Sequence, residues 1–367
     1  MVWRRGCENG VEGGGRSTSD KRMVLVDSSS AWFVARGRSS SMETTEDGII
    51  VESDSAGVYA DIPAEHVKTV LDEFASKPWR QAIKELYETQ NPWLYRIVTD
   101  PSRAMPLEVL ELARGSTCLD VGSGWGQLSI PLAQWGCRVV ALDLTLERLR
   151  ILSGIARQEG AVITLAKGNV LSFPFRAGTF DLVLFNGTLE WVGTGRGADR
   201  TIRQCQVDAL RNAANAAKAD GQIYIGVENN IGLKYLMGAR DDHTSMLNYS
   251  FRSESEAEAI LKPLGVDQPT AKTWGLNQLK RLAGEAGLSV KSVYGCFPDY
   301  KLPRHLVPLE EVNSFLLKWE IDWEEHHGDR GEALRDQNAI RSAYRQLADN
   351  GIAQWFCPSY VIILVKS

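Results

Sequence analysis

Thr117-Cys118-Leu119-Asp120-Val121-Gly122-Ser123-Gly124-Trp125-Gly126 is the stretch whose reading decides the fold. An apolar run of strand length meets a glycine-dense turn, and Gln127 to Gln134 behind it reads as a helix start. Strand, glycine loop and helix make the first half of a βαβ unit, where backbone comes close to a ligand. Glycine at 122, 124 and 126 permits positive φ and removes side chains that would hold a ligand off. The dinucleotide fingerprint G-x-G-x-x-G asks for a glycine at 127, where this chain has Gln127. Asp120, two residues before the first glycine, would repel a pyrophosphate and welcome an ammonium group.

Working outward, Asp143 closes the apolar run Val139-Val140-Ala141-Leu142. An acid at the end of a second strand is placed to bind both hydroxyls of a ribose. Two carboxylates so placed, with no phosphate-binding glycine at 127, imply a nucleoside carrying a cationic amino-acid tail. S-adenosylmethionine fits that description. Beyond this, D-V-G-S-G-W-G, A-L-D-L, G-N-V-L-S-F-P-F and F-D-L-V-L-F-N-G follow one another across roughly residues 115–228. In that order they resemble the successive motifs of class I S-adenosylmethionine-dependent methyltransferases.

The resemblance implies an α/β fold: a Rossmann-like, seven-stranded, mostly parallel sheet with helices on both faces and a helical cap. It also implies residue roles. Asp120, Gly122, Gly124 and Gly126 line the methionine end, Asp143 holds the ribose, and Leu144 touches the adenine. Asn169 and Val170 stand where an acid-plus-apolar pair meets the adenine amino group. Asn replaces the commoner Asp there but still accepts through its carbonyl oxygen. Asn186, with Gly187, ends the fourth strand beside the expected methyl group.

Composition narrows the class. The chain has 367 residues, 44% hydrophobic and 24% charged, as an ordinary globular enzyme has. A net charge of −5 argues against a broad nucleic-acid or anionic-membrane footprint. No apolar run approaches the ~18–20 residues of a membrane helix, so no integral membrane segment is expected. Six cysteines without a C-x-x-C pair read as reduced, buried thiols, which suits a cytoplasmic enzyme. A homodimer is left open.

Residues 1–45 are Gly-, Ser- and Arg-rich, and read as a disordered extension or an over-extended start ahead of Met42. Residues 46–112 read as a helical segment, and residues 113–367 as the methyltransferase domain. Strands are expected near 117–121, 137–143, 162–167, 179–186, 222–228, 288–296 and 359–366. Helices are expected near 127–134, 145–158, 200–219 and 274–286. Two long insertions, 229–274 and 297–357, leave the edge where the loops after the strands gather, and read as a substrate cap. Their G-L-K-Y-L-M-G-A-R-D-D-H-T and F-P-D-Y-K-L-P segments are similar to methyltransferases found with bacterial cell-surface glycan and O-antigen or teichoic-acid assembly systems. The partner is then a small-molecule or glycan-linked acceptor, with no nucleic acid.

On the acceptor side, His243 is the base candidate by its ordinary pKa, with Glu190 and Tyr300 beside it as catalytic candidates. Should the acceptor be an anion, Lys234, Lys301 or Arg304 could orient it. Trp93, Tyr95, Arg96 and Arg103 are weaker candidates from the helical segment. His326-His327 point about 100° apart on a helix, and no metal is assigned. Two rivals stand beside the methyltransferase reading: an NAD-dependent oxidoreductase, and a non-catalytic binding protein on the same fold.

Overall fold

The computed structural model describes residues 32–33, 42–52, 64–197, 199–266, 269, 271–321 and 337–367. Ten strands among these form one sheet. They are β1 (Met42–Thr44), β2 (Ile50–Glu52), β3 (Thr117–Val121), β4 (Arg138–Asp143), β5 (Ile163–Lys167), β6 (Phe180–Asn186), β7 (Ala217–Glu228), β8 (Leu288–Phe297), β9 (His305–Pro308) and β10 (Ser359–Lys366). Their spatial order is β1-β2-β5-β4-β3-β6-β7-β10-β8-β9. Strands β2 through β7 pair in parallel, while β10 lies antiparallel to both β7 and β8.

The expected count of seven is therefore corrected to ten. The foreseen strands, β5-β4-β3-β6-β7-β10-β8, form the contiguous middle. The hairpin of β1 and β2 extends one edge and β9 the other. These added strands are three or four residues long. β2 falls inside Gly48 to Ile62, a stretch whose sequence reads as a short strand or hairpin, whereas runs as short as β1 and β9 carry too few turns of a period-2 pattern to stand out.

The middle strands form because both their faces are buried. Leu119, Val121, Val140, Leu142, Val183 and Phe185 pack on one side of the sheet. Cys118, Val139, Leu182 and Leu184 pack on the other. A parallel sheet covered twice needs such unbroken apolar runs, and each fully buried side chain of this size contributes ~1.5–3 kcal/mol. The covering helices carry matching stripes. In Ile202–Ala216 the residues Ile202, Cys205, Ala209, Leu210, Ala213 and Ala216 are buried at three- and four-residue steps. A capping box of Thr201 and Gln204 starts that helix.

Before the sheet, helices Ala64–Ser76, Trp79–Tyr87 and Pro92–Thr99 pack in sequence. Asn91-Pro92 both ends one helix and begins the next, since Asn91 Oδ1 accepts from Leu94 N at 3.1 Å. The boundary drawn at residue 45 falls inside the turn between β1 and β2. Trp32 stacks on Phe180 with ring centroids 5.8 Å apart, so these two described extension residues, Trp32 and Phe33, lie in the core. The remainder of residues 1–41 lies outside the described residues, as does His326-His327.

The second insertion departs from a pure cap. Its strand β9 continues the sheet, and its helices Val312–Lys318 and Gln337–Asp349 bury Val312, Leu316, Ile340 and Tyr344 in the main core. Its near end, Phe297 to Lys301, is the part that reaches the site described below. No described helix is long and apolar enough to cross a membrane.

Strand order reverses between β3 and β6, which places a crevice at their carboxyl ends. Asp120 lies near the end of β3. Asp143, Asn186 and Glu228 are the last residues of β4, β6 and β7.

Candidate active site

A cavity of about 440 Å³ opens at that crevice. Asp120, Gly122, Gly124, Asp143, Leu144, Asn169, Val170, Asn186, Glu190, His243 and Tyr300 all line it, together with Arg103, Asp242 and Lys301. Gly126 does not. At φ 88° a Cβ on Gly126 would come 2.9 Å from Leu152 Cγ, so this glycine lets the helix pack behind the loop. Gly122, at φ 72°, is tighter: a Cβ there would stand 2.3 Å from Thr188 Oγ1.

The carboxylate of Asp143 is fixed in place by the glycine loop itself. Its Oδ2 accepts from Gly124 N at 2.9 Å and its Oδ1 from Thr145 N at 2.9 Å. Arg148 Nη1 also lies 4.0 Å from Oδ2, and a carboxylate oxygen with two lone pairs can accept more than one hydrogen bond. Asp120 accepts from Ser129 Oγ at 2.6 Å. Burial pushes its carboxyl up to about 6, the Ser129 bond opposes that rise, and the Asp143 charge adds to it.

Asn169, expected from the sequence to meet the adenine, spends part of its oxygen locally, since Oδ1 accepts from Leu171 N at 3.0 Å. Glu52 of the hairpin holds the same loop, its Oε2 accepting from Ser172 Oγ at 3.1 Å and Asn169 N at 3.4 Å. Sequence reasoning missed Glu52, because it lies outside every recognised motif. Asn186 Oδ1 accepts from the Tyr224 hydroxyl at 3.1 Å. Its Nδ2 is buried with no hydrogen-bond partner among the described residues, and so is Arg103 Nε. Both residues line the cavity. Of the four candidates from the helical segment, Trp93 and Arg103 line the cavity and Tyr95 and Arg96 do not.

Beyond Asn186 the chain brings four distant segments together. Glu190 sits in the turn after β6, held by backbone: its carbonyl accepts from Lys272 N at 2.9 Å. The Gln206 amide ties Leu189 O and Lys272 O to the same point at 3.0 and 2.9 Å. Tyr300 donates from its hydroxyl to Glu190 Oε1 at 3.2 Å. Gly187, at φ 72°, leaves room for that ring, because a Cβ there would lie 2.5 Å from the Tyr300 oxygen. Lys301 pairs with Glu228 and, at 3.4 Å, with Asp242. Lys234 meets Asp242 at 2.6 Å.

His243 stands among these carboxylates, Nε2 lying 3.7 Å from Glu228 Oε2 and 3.9 Å from Glu190 Oε1. The Trp191 ring packs edge-on against it at 5.0 Å. Burial disfavours its charge, but Glu190, Glu228 and Asp241 outweigh burial and lift it to about 9. Those carboxylates favour the protonated imidazole, so His243 would act as a base only once its proton is removed. Glu228 is pushed the other way by burial, to about 7, with the Lys301 charge pulling it down.

Three neighbouring side chains have structural duties. Asp241 caps its own turn, accepting from His243 N at 3.0 Å, Thr244 N at 2.8 Å and Ser250 Oγ at 2.7 Å. Arg304 pairs with Asp100 at 2.9 Å, outside the cavity. Asp299 accepts from Lys301 N at 2.6 Å and shapes the turn that delivers Tyr300 and Lys301.

Known proteins share the donor half. Residues 119–225 match the family model of the methyltransferase domain. An uncharacterized protein of Mycobacterium tuberculosis is 38% identical over 96 residues, which is 26% of this chain and 35% of that relative. A ubiquinone biosynthesis O-methyltransferase of Rhizobium rhizogenes is 27% identical over 172 residues, 47% of this chain and 62% of its own length. The chain thus spans less than two thirds of the curated relatives it matches. Among solved structures, the CcbJ methyltransferase of Streptomyces caelestis overlays 73% of this chain and 94% of its own, with 14% identity and a TM-score of 0.43. The matched segment, β3 through most of β7, is similar to a methyltransferase domain.

Proposed function

We propose that the whole chain transfers a methyl group from S-adenosylmethionine to a hydroxyl oxygen of a sugar, a glycan-linked molecule or another small acceptor. One observation carries the acceptor half of this reading. The two inserted segments that resemble enzymes of cell-surface glycan assembly converge on one cavity, the first supplying Asp242 and His243, the second Tyr300 and Lys301. The donor half rests on the opposed carboxylates of Asp120 and Asp143 and on the bare glycine loop between them.

The cofactor supplies a methyl group already activated on a cationic sulfur, so the protein's task is positioning and exclusion of water. Asp120 is suited to the ammonium of the amino-acid tail and Arg103, through its unpartnered Nε, to the carboxylate. Asp143 is suited to the ribose hydroxyls. Glu190 offers an oxygen to the acceptor's hydroxyl, and the Tyr300 hydroxyl fixes how that carboxylate is turned.

The test is transfer of a radiolabelled methyl group to a panel of sugar nucleotides, oligosaccharides and simple phenols, with the linkage identified by mass spectrometry. Label on oxygen supports the reading. Label on nitrogen or carbon across the panel, or tight NADH binding in place of S-adenosylhomocysteine, would overturn it.

A further inference from the structure

We propose that Glu190, Glu228 and His243 bind one divalent cation at the acceptor end of the cavity. The inference rests on the methyltransferase reading only for what the ion would do; its binding is argued from the side chains. One ligand atom from each residue lies within 4.8 Å of the other two. They come from the turn after β6, the end of β7 and the first insertion, so no local turn or helix cap brings them together.

The spacing discriminates. His243 Nε2 lies 3.7 Å from Glu228 Oε2 and 3.9 Å from Glu190 Oε1. Both separations exceed the roughly 2.7–3.2 Å of a hydrogen bond. Two ligands about 2.1 Å from one ion stand apart by roughly 3.0 Å at a right angle and 4.2 Å when opposed. The observed separations fall between these, so a modest inward turn of the side chains would close them on one ion.

A second observation concerns the same two carboxylates. Glu228 is fully buried and Glu190 is 1% exposed, yet Oε2 of each has no hydrogen-bond partner among the described residues. A buried carboxylate oxygen left bare costs free energy, and a cation removes that cost. The remaining groups frame the site. Lys301 pairs with the outer oxygen of Glu228 and with Asp242, and Lys234 neutralises Asp242 from the far side. Lys301 stands at one face of the site, and Glu190, Asp242 and His243 line the cavity on the other.

One imidazole and two carboxylates suit Mn²⁺, Zn²⁺ or Mg²⁺. The ion and a proton compete for His243 Nε2, so the ion occupies the site with the imidazole neutral. With coordination positions open to the cavity, it would take an acceptor hydroxyl, favouring acceptors with two adjacent oxygens. On transfer, the acceptor's O–H proton leaves to solvent, the oxygen forms the new O–CH₃ bond, and the S–CH₃ electron pair stays on sulfur.

The experiment is Mn²⁺ titration of the EDTA-stripped full chain, followed by loss of the free-ion EPR signal. S-adenosylhomocysteine binding is measured on the same samples. One site per chain is expected, weakened at least tenfold in His243→Asn and in Glu190→Gln. His243 sits on an inserted loop, so that variant tests the site even if Glu190→Gln fails to fold. No Mn²⁺ bound at millimolar concentration, or binding unchanged in folded His243→Asn, overturns the proposal. S-adenosylhomocysteine binding without Mn²⁺ binding sinks the ion alone, whereas the reverse sinks the donor reading alone.

Discussion

Asp120, Gly122, Gly124 and Asp143 come from one uninterrupted strand–turn–helix–strand run, whereas Glu190, Glu228, Asp242–His243 and Tyr300–Lys301 come from four separated segments. The first group is held by main chain: Asp143 is gripped by Gly124 N and Thr145 N, and the loop by its positive φ angles. The second is held by side chains of opposite charge and by Asp241 and Asp299 turns. A site fixed by backbone tolerates loss of one side chain with its shape intact. A site fixed by buried ion pairs does not, because removing one partner strands the other.

The largest expected effect probes the second group. Lys301→Met leaves Glu228 and Asp242 without their shared cation, and should lower folding stability by about 3 kcal/mol. Urea unfolding measures this. Affinity for S-adenosylhomocysteine in the folded fraction should stay within threefold; a collapse of both together would show that the two halves are one unit.

Next, Asp143→Ala removes charge-assisted hydrogen bonds worth ~1.5–3 kcal/mol and should weaken S-adenosylhomocysteine ~10–150-fold by calorimetry. Stability should change little beside Lys301→Met, and unchanged affinity would remove Asp143 from the ribose.

A pH effect follows in size. Asp120 titrates at about 6 in the folded chain, above its ordinary 3.8. Its negative charge, wanted by the cofactor's ammonium, is therefore lost as pH falls through 6. Donor affinity should drop towards tenfold between pH 7 and pH 5, and Asp120→Asn should flatten that slope. Stability runs the other way: the folded chain holds this proton more tightly, so its contribution is fully present below pH 3.8 and lost as pH rises through 6. Asp120→Asn should thus be no less stable than the parent at pH 7 by thermal unfolding.

The smallest expected change is at the adenine end. Asn169→Asp keeps the bond from Leu171 N and adds a second accepting oxygen, so S-adenosylhomocysteine should tighten by less than tenfold. Weaker binding would mean that the Asn169 amide donates to the base.

The same division explains what the sequence disclosed. The donor half was legible because a carboxylate, three glycines and a second carboxylate keep fixed spacing along contiguous chain, and hydrophobic periodicity marked the strands between them. Gly126 was misplaced because glycine spacing does not say which glycine faces a ligand and which faces a helix. The edge strands Met42–Thr44 and His305–Pro308 were too short to show a period. At the acceptor end the residue types were visible, yet His243 was taken at its ordinary pKa. Its three carboxylate neighbours come from segments 190, 228 and 241, and only folding sets their distances. The second insertion looked like a lid because its length was visible and its buried face, Val312, Leu316, Ile340 and Tyr344, was not.

The bare α-carbon at position 187 gives Tyr300 its clearance. A methyl group there would act as a doorstop. The ring would be pushed off Glu190, and the left-handed backbone at φ 72° would be strained with it. That single carbon is thus a handle for detaching one late-arriving segment from the chemistry, and for grafting another in its stead.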